Sequence, residues 1–149
     1  MTAARVLLVV AHPVIGSAME TLLRLEGEYD VRRVTSITEV GKVADWAPQV
    51  ALIDGTLLGA VSRVAIGVPA YVLSGSERDG RQLARKLDDG RGWLRKDATG
   101  SELVKAIDAL LKGESQTEGG LGRLGVTTIV ILSVVVLALV AYLIWLAVY

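Results

Sequence analysis

Four residues of this 149-residue chain have side chains that could do chemistry and fall where a predicted strand ends. They are His12 after the first strand, Asp54 at the end of the third, Ser74 at the end of the fourth and Lys96 at the end of the fifth. A carboxylate in such a place can bind a hard cation or pair with a lysine. A serine hydroxyl at a turn can satisfy backbone N–H groups. These four positions are therefore the candidates for a functional site.

The same residues limit the chemistry that such a site could support. Mg²⁺ takes hard oxygen ligands, usually with more than one carboxylate in an open site, and Asp54 is the only acid of the set. His12 is a softer ligand, suited to transition metals, and a lone histidine after a strand more often begins a helix. The sequence shows no nucleophile–base pair, no metal-ligand cluster and no phosphate-binding glycine loop, since the glycines of residues 119–122 follow no strand. We therefore predict no enzymatic activity, no metal and no cofactor.

Short aliphatic runs predict five buried strands. Residues 5–10 are nearly continuous in Val and Leu, which is typical of a strand covered on both faces. The other predicted strands are residues 29–34, 49–54, 70–74 and 93–96. Runs of this kind that alternate with helical patterns indicate βα units around a parallel sheet.

A capping pattern predicts an α-helix between the second and third strands. Ser36 followed by Glu39 fits a capping box, in which each residue satisfies a backbone N–H of the other. The apolar residues expected on the buried face are Val40, Val43, Ala44 and Ala47, with Pro48 ending the helix. We therefore expect an ordinary α-helix in this segment.

Three further helices are predicted between or after the strands. The first runs from Pro13 to Gly27 with Ile15, Met19, Leu22 and Leu23 on its buried face, the second covers residues 78–87, and the third runs from a capping box at Thr99 and Glu102 to Lys112. Five strands alternating with helices predict an α/β fold with a flavodoxin-like, doubly wound, five-stranded parallel sheet in residues 1–112. In that architecture the functional site lies at the carboxyl ends of the strands, where the four polar residues fall.

Several segments resemble the receiver (CheY-like) domains of two-component response regulators, most closely those of LuxR- or NarL-type regulators. The resemblance covers residues 5–112 and rests on residues 5–13, 50–54, 72–75 and 92–98. In that family an aspartate that accepts phosphate ends the third strand, a Ser or Thr ends the fourth and a lysine ends the fifth. The resemblance assigns these positions to Asp54, Ser74 and Lys96.

The resemblance fails at the acidic pair that receivers carry after their first strand. In the family's Asp-Asp-His-Pro motif, the two acids align with Val10 and Ala11, while His12 and Pro13 are kept. Valine and alanine offer neither charge nor side-chain lone pairs to a cation. The chain is therefore expected to be a degenerate receiver without the usual Mg²⁺-dependent phosphorylation.

A second departure follows Asp54. Receivers place a full third helix before the fourth strand, whereas residues 55–68 predict only a shortened helix or a turn. Leu57 and Leu58 would put apolar side chains near the former site. The loop that normally frames the phosphoacceptor is therefore expected to be rebuilt.

The retained residues also have structural explanations. Asp54 could cap a turn or pair with Lys96, and Ser74 could satisfy backbone donors at a turn. Trp93 lies where receivers often carry a Tyr or Phe that moves on activation, and a plain packing or interface role suits the chemistry of a tryptophan at least as well. By the resemblance, a partner surface would include Trp93, Leu94 and Arg95.

The C-terminal residues 126–149 carry no charged side chain and are mostly Val, Leu, Ile and Ala. As a helix they would be about 36 Å long, enough to cross a hydrocarbon core of about 30 Å. Residues 113–125 are glycine-rich and predict a flexible linker. Lys112 and Arg123 precede the span and no Lys or Arg follows it, which favours a cytoplasmic N-terminal domain. We therefore predict a single-pass tail anchor in a membrane lipid bilayer.

One leading function and two alternatives remain after these observations. The first is a membrane-anchored pseudo-receiver that binds a protein partner, scaffolds or signals at the cytoplasmic face of the membrane, as a homo-oligomer or in a larger complex. The alternatives are an active phosphoreceiver, with Asp54 phosphorylated by a histidine kinase, and an accessory structural subunit of a membrane complex. A net charge of zero and the lack of a helix-turn-helix pattern after Lys112 argue against binding nucleic acid.

Overall fold

A computed structural model describes residues 2–113 of the protein. Five strands form one parallel sheet in these residues, in the order β2-β1-β3-β4-β5. The strands are β1 Arg5–Val9, β2 Asp30–Val34, β3 Val50–Asp54, β4 Ala70–Ser74 and β5 Gly90–Arg95. This is the strand order of the flavodoxin-like doubly wound fold, so the predicted fold class is confirmed for this part of the chain.

Helices cover both faces of the sheet. The α-helices are α1 Pro13–Glu26, α2 Glu77–Ala84 and α3 Gly100–Leu111, and two 3₁₀ helices span Ile37–Trp46 and Gly55–Leu58. No helix within residues 2–113 is long and apolar enough to cross a bilayer. The predicted span at 126–149, and all of the predicted linker except Gly113, lie outside the described residues.

The core forms two layers because side chains alternate across each strand. On β1, Val6 and Leu8 pack with α1 and α3 on one face, while Leu7 and Val9 pack on the other face. All residues of the central strands β3 and β4 are buried, including the polar Asp54 and Ser74 at their ends. The polar groups are thus fixed by strands that have no exposed face.

The segment between β2 and β3 is a 3₁₀ helix, so the prediction of an α-helix there is wrong. Its half-buried apolar residues are Ile37, Val40, Val43 and Trp46, which recur at every third position. A period of three matches the three residues per turn of a 3₁₀ helix and places all four on one side. Ala44 and Ala47, which the α-helical pattern placed inside, are exposed.

The predicted capping box of this segment does not form. The Ser36 side chain makes no capping hydrogen bond and lies 2.9 Å from the Thr38 hydroxyl. The Glu39 carboxylate instead accepts from the Thr35 N–H at 2.8 Å and from its hydroxyl at 3.0 Å. These bonds lower the pKa of Glu39. The Glu39 carboxylate therefore bonds chiefly to Thr35, one residue earlier than predicted.

Two of the other helices begin and end close to the predicted residues. Helix α1 starts at Pro13 and stops before Gly27, although Ile15 is 42% exposed and the buried stripe is narrower than predicted. Helix α3 carries the predicted capping box: the Glu102 carboxylate accepts from the Thr99 N–H at 2.7 Å, and the Thr99 hydroxyl accepts from the Glu102 N–H at 3.4 Å.

The region of α2 and β5 differs from the prediction at its boundaries. Helix α2 stops at Ala84 rather than Leu87, because Leu87 forms a bridge with Val64 of the loop that precedes β4. Strand β5 starts at Gly90 rather than Trp93, since Gly90 already pairs with Ala70 of β4. Because Leu87 pairs with Val64 and Gly90 pairs with Ala70, the chain has no room for a helix that continues to Leu87.

Candidate functional site

The carboxyl edge of the sheet brings together three of the four polar residues predicted there. Asp54 ends β3, Ser74 ends β4, and Lys96 follows β5 directly. The Lys96 amine lies 2.8 Å from Asp54 Oδ1, which is the ion pair that the sequence allowed. The Asp54 side chain is 10% exposed and that of Lys96 is 35% exposed, so the pair is open to solvent mainly on the lysine side.

The Asp54 carboxylate has a second donor in the turn that follows it. Its Oδ1 also accepts from the Thr56 N–H at 3.1 Å, which caps the short 3₁₀ helix Gly55–Leu58. Burial works against the charged form of Asp54, but the hydrogen bonds from Lys96 and Thr56 outweigh it and lower the pKa of this carboxyl. Asp54 is thus held as a carboxylate with one oxygen engaged by two donors.

The Ser74 hydroxyl is used at the turn into α2. Its Oγ accepts from the Ser76 N–H at 3.3 Å. The Ser76 hydroxyl in turn accepts from the Asp79 N–H at 3.2 Å and caps α2. This is the structural role that serine often takes in turns.

The residues directly after β1 supply no carboxylate for a cation. Val10 is 1% exposed and belongs to the hydrophobic core on the α1 and α3 side of the sheet, while Ala11 is exposed. His12 Nδ1 accepts from the Ile15 N–H at 3.5 Å and so starts α1. A metal would therefore find no carboxylate here besides Asp54.

The residues present do not fit Mg²⁺. A magnesium ion needs a near-octahedral oxygen shell, usually with more than one carboxylate, whereas Asp54 is the single carboxylate of this set and its Oδ1 is already engaged by Lys96 and Thr56. Residues 2–113 contain no group of three His, Cys, Asp or Glu side chains that could hold a metal ion. The Lys96 ammonium lies 2.8 Å from Oδ1, so a cation bound at this oxygen would sit beside another positive charge.

The loop after Asp54 is rebuilt through two residues that sequence reasoning missed. The Lys86 amine donates to the Leu58 carbonyl at 2.9 Å and to the Gly59 carbonyl at 3.2 Å. Leu58 itself is fully buried in the core, so it does not line the site. No local pattern signals these contacts, because they join positions more than 25 residues apart.

Asp88 holds the part of the same loop around Ile66 and Gly67. Its carboxylate accepts from the Ile66 N–H at 2.9 Å and from the Gly67 N–H at 3.1 Å. Burial opposes the charge, but these bonds lower the pKa of Asp88. Gly67 has a φ of +82°, a conformation that favours glycine, so the turn needs this residue type. The loop thus stands where a full third helix would be in a receiver.

Trp93 and its neighbours line a groove along the edge strand β5. The Trp93 side chain packs against Gly80 of α2, and Leu94 packs on the opposite layer of the core. Arg95 is exposed and pairs with Asp97 at 2.8 Å. Beside them an open groove of about 450 Å³ runs between β5 and α3. Trp93 therefore packs within the domain and also borders a groove wide enough for a few side chains.

Solved structures with the same fold are response-regulator receivers. The LuxR-family regulator from Aurantimonas is 19% identical with a TM-score of 0.62, over 87% of this chain and 99% of that one. The signal receiver domain assigned to the regulator NarL of Mycobacterium tuberculosis is 22% identical with a TM-score of 0.59, over 76% and 100%. A receiver from Clostridium thermocellum is 20% identical with a TM-score of 0.60, over 74% and 95%.

No protein-family profile and no curated protein sequence matches the chain. The similarity to solved structures is therefore a similarity of fold. Residues 2–113 have the CheY-like fold of response-regulator receiver domains, with Asp54, Ser74 and Lys96 at the edge where that fold carries its site.

Proposed function

We propose that this chain is a receiver-fold binding module that Mg²⁺-dependent phosphorylation does not switch. The observation that carries the proposal is the state of Asp54: its Oδ1 is engaged by Lys96 and Thr56, while Val10 is buried in the core where receivers carry an acid. Of the two positions aligned with the acidic pair, Val10 is thus part of the apolar interior, and the exposed Ala11 has no side-chain ligand to offer.

The chemistry of phosphoryl transfer explains why this matters. Transfer to a carboxylate brings together two negatively charged groups, and metal ions normally offset that repulsion while bridging the phosphate oxygens. Lys96 supplies one positive charge, but it is already used to compensate the buried carboxylate of Asp54. The pair then serves to hold the carboxyl edge of the sheet in one arrangement.

For a binding role, the surface best suited to a protein partner is the groove between β5 and α3. The groove beside Trp93 and Leu94 has an apolar floor, and Arg95, Glu102 and Lys105 border it with both signs of charge. Apolar floors with polar rims are typical of protein contact surfaces. This arrangement supports a protein partner for that face and gives no basis for nucleic acid.

A membrane location is the second part of the proposal, and it rests on the sequence. Residues 126–149 have the length and composition of a membrane span, and the flanking Lys112 and Arg123 favour a cytoplasmic domain. The module would recruit or scaffold a partner at the inner face of a membrane. The same surfaces would serve an accessory subunit of a larger membrane complex.

The experiment that tests the proposal is incubation of the full chain with acetyl phosphate and Mg²⁺, followed by intact-mass analysis. We expect no phosphate adduct, while an active receiver treated in parallel is modified. Asp54→Asn serves as the matched control for any added mass. A stoichiometric adduct on the unaltered chain that disappears in Asp54→Asn would establish the active phosphoreceiver instead.

A further inference from the structure

The outward side of helix α2 carries a row of arginines, which we call the arginine face. Arg78, Arg81 and Arg85 are all exposed, and their spacing of three and four residues places them along one side of the helix. The buried residues Gly80 and Ala84 lie on the opposite side. The row borders a shallow depression of about 680 Å³, and every side chain that lines it is charged or an amide. The face therefore suits a charged ligand rather than an apolar one.

Positive charge prevails on the arginine face. Arg81 pairs with Glu77 one turn earlier, which is the one acid among the described residues that line the depression. Asp79 is turned the other way: its carboxylate accepts from the Ser76 hydroxyl at 2.8 Å, and it lines the pocket at the carboxyl edge of the sheet. Lys86 follows the row, and its amine donates to backbone carbonyls rather than to an acid. Three arginines thus share the depression with one glutamate.

The chemistry of this face fits phosphate groups. A planar guanidinium can donate two parallel hydrogen bonds to the oxygens of one phosphate, which makes arginine the preferred residue for such contacts. From Arg78 to Arg85 the row spans about 10 Å along the helix, so it matches an array of phosphates better than one small anion. The anionic lipids of a cytoplasmic membrane leaflet present such an array.

The chain leaves the described domain close to the arginine face. Helix α2 ends against the first residue of β5, where a Cβ atom added at Gly90 would clash with the Ala84 carbonyl. The next residue, Arg91, donates to the Gly113 carbonyl at 3.1 Å. The predicted linker therefore starts beside the C-terminal end of α2. Its 13 residues would span about 20 Å, so even weak contacts with lipid headgroups would act at high effective concentration.

We propose that the arginine face docks on the anionic phospholipid headgroups of the membrane that holds the chain. The proposal rests on the proposed membrane location and adds the surface through which the domain lies on the lipid. Helix α3 packs on the opposite face of the sheet from α2. The groove between β5 and α3 therefore stays open to a protein partner while α2 is docked.

Fluorescent labels on the full chain test the contact, because the chain contains no cysteine. Gln82→Cys places a label beside the arginines, and Ala18→Cys places one on the exposed side of α1. Each labelled protein is reconstituted into vesicles of phosphatidylcholine, with or without phosphatidylserine, that contain a lipid with a nitroxide quencher on its headgroup. We expect quenching of the α2 label in the anionic vesicles only. The α1 label should stay bright in both.

Charge removal tests the energetics of docking. Each basic residue at an anionic surface strengthens attachment about fivefold. Arg78→Gln should therefore lower the ratio of docked to undocked domain about fivefold, and the triple variant with Arg81→Gln and Arg85→Gln about a hundredfold. Lys42→Gln, exposed on the 3₁₀ helix beside β2 at the other edge of the sheet, is the matched control and should change nothing. Circular dichroism confirms that each variant is folded, since glutamine is a good helix former.

Several outcomes would overturn the proposal. An α2 label that stays bright in anionic vesicles shows that α2 does not reach the lipid, and equal quenching in neutral vesicles shows that headgroup charge is not recognised. Shielding of the label only in native membranes, with their proteins present, would assign the face to an acidic protein partner.

Flotation of the same vesicles separates this proposal from the membrane location on which it rests. A chain that floats with neutral vesicles but shows no quenching in anionic ones keeps its anchor and loses the docking surface. A chain that binds anionic vesicles alone keeps the docking surface and loses the anchor. A chain that floats with neither overturns both.

Discussion

The Lys96 amine reaches across the end of β4 to Asp54 Oδ1 at 2.8 Å, and so ties β5 to β3, a strand with which β5 does not pair. Asp54 as a whole residue is 7% exposed. The second donor to its Oδ1 is the Thr56 N–H at 3.1 Å. The lysine therefore compensates a buried charge and holds the carboxyl edge of the sheet together.

Removing the lysine should destabilise the domain. We expect Lys96→Met to lower the free energy of unfolding at neutral pH by about 1–3 kcal/mol, less than for a fully buried pair because the lysine is partly exposed. Lys105→Met, at an exposed position on α3, should change it by less than about 0.5 kcal/mol. Urea unfolding of the full chain in detergent measures both. Equal effects of the two substitutions would contradict a structural role for the ion pair.

The pH dependence of that effect follows from the lowered pKa of Asp54. A carboxyl whose pKa is lower in the folded state stabilises the protein above its ordinary pKa of about 3.9. This contribution is lost as the pH falls through the lower, folded-state pKa. The stability difference between wild type and Lys96→Met should therefore narrow at low pH. A difference that stays constant from pH 6 to pH 2 would show that Asp54 is not the group involved.

The 3₁₀ helix Ile37–Trp46 provides a further prediction, at its last residue. The guanidinium carbon of Arg32 lies 5.0 Å from the centroid of the Trp46 ring, and the indole N–H of Trp46 donates to the Asp30 carboxylate at 3.3 Å. Trp46→Ala should cost about 1–3 kcal/mol, below the value for a fully buried tryptophan. Ala44→Glu should cost less than about 0.5 kcal/mol, because Ala44 is exposed. An α-helical packing of the segment would reverse this order, which thermal melts of both variants would reveal.

The prediction of the fold succeeded where the local signals and the packing agree. Buried strands such as β1 are recognisable in the sequence as continuous aliphatic runs. Thr99 and Glu102 form the capping box that their spacing predicts. The prediction of an α-helix at Ile37–Trp46 was wrong because Val40 and Val43 fit both the three-residue period of a 3₁₀ helix and the apolar face of an α-helix. Only the contact of Ile37 and Trp46 with the sheet decides between the two.

The candidate site likewise contains residues that the sequence predicts and residues that it does not. Asp54 and Lys96 could be placed because strand ends in a parallel sheet meet at one edge, and their pairing follows from opposite charge. Lys86 and Asp88 could not be placed, since their targets are backbone groups of a loop far away in sequence. Backbone acceptors and donors carry no sequence signature, so such contacts become visible only when the loop is seen in place.

Gly80 marks a close approach of helix α2 to β5. A Cβ atom added at this position would lie 2.7 Å from Trp93 Cβ and Cγ, atoms that the strand backbone holds in place. We expect Gly80→Ala to lower the free energy of unfolding by about 1–3 kcal/mol through overpacking. At Gly41 an added Cβ would meet nothing within 4 Å, so Gly41→Ala should leave stability unchanged or slightly raised. Equal losses from both substitutions would mean that α2 can move away from Trp93 at little cost.

The last prediction concerns residues 126–149, and it separates the domain from its expected anchor. A fragment of residues 1–113 should stay in the supernatant after ultracentrifugation of disrupted cells, because the strands and capped helices complete a core without the rest of the chain. The full chain should remain in the membrane pellet and resist alkaline extraction. Val136→Arg with Leu139→Arg keeps the length of the span but adds about 5–7 kcal/mol of insertion cost, so this variant should leave the membrane. Wild-type chain in the supernatant without detergent would rule out the anchor, and an insoluble fragment would show that the domain needs the residues after Gly113.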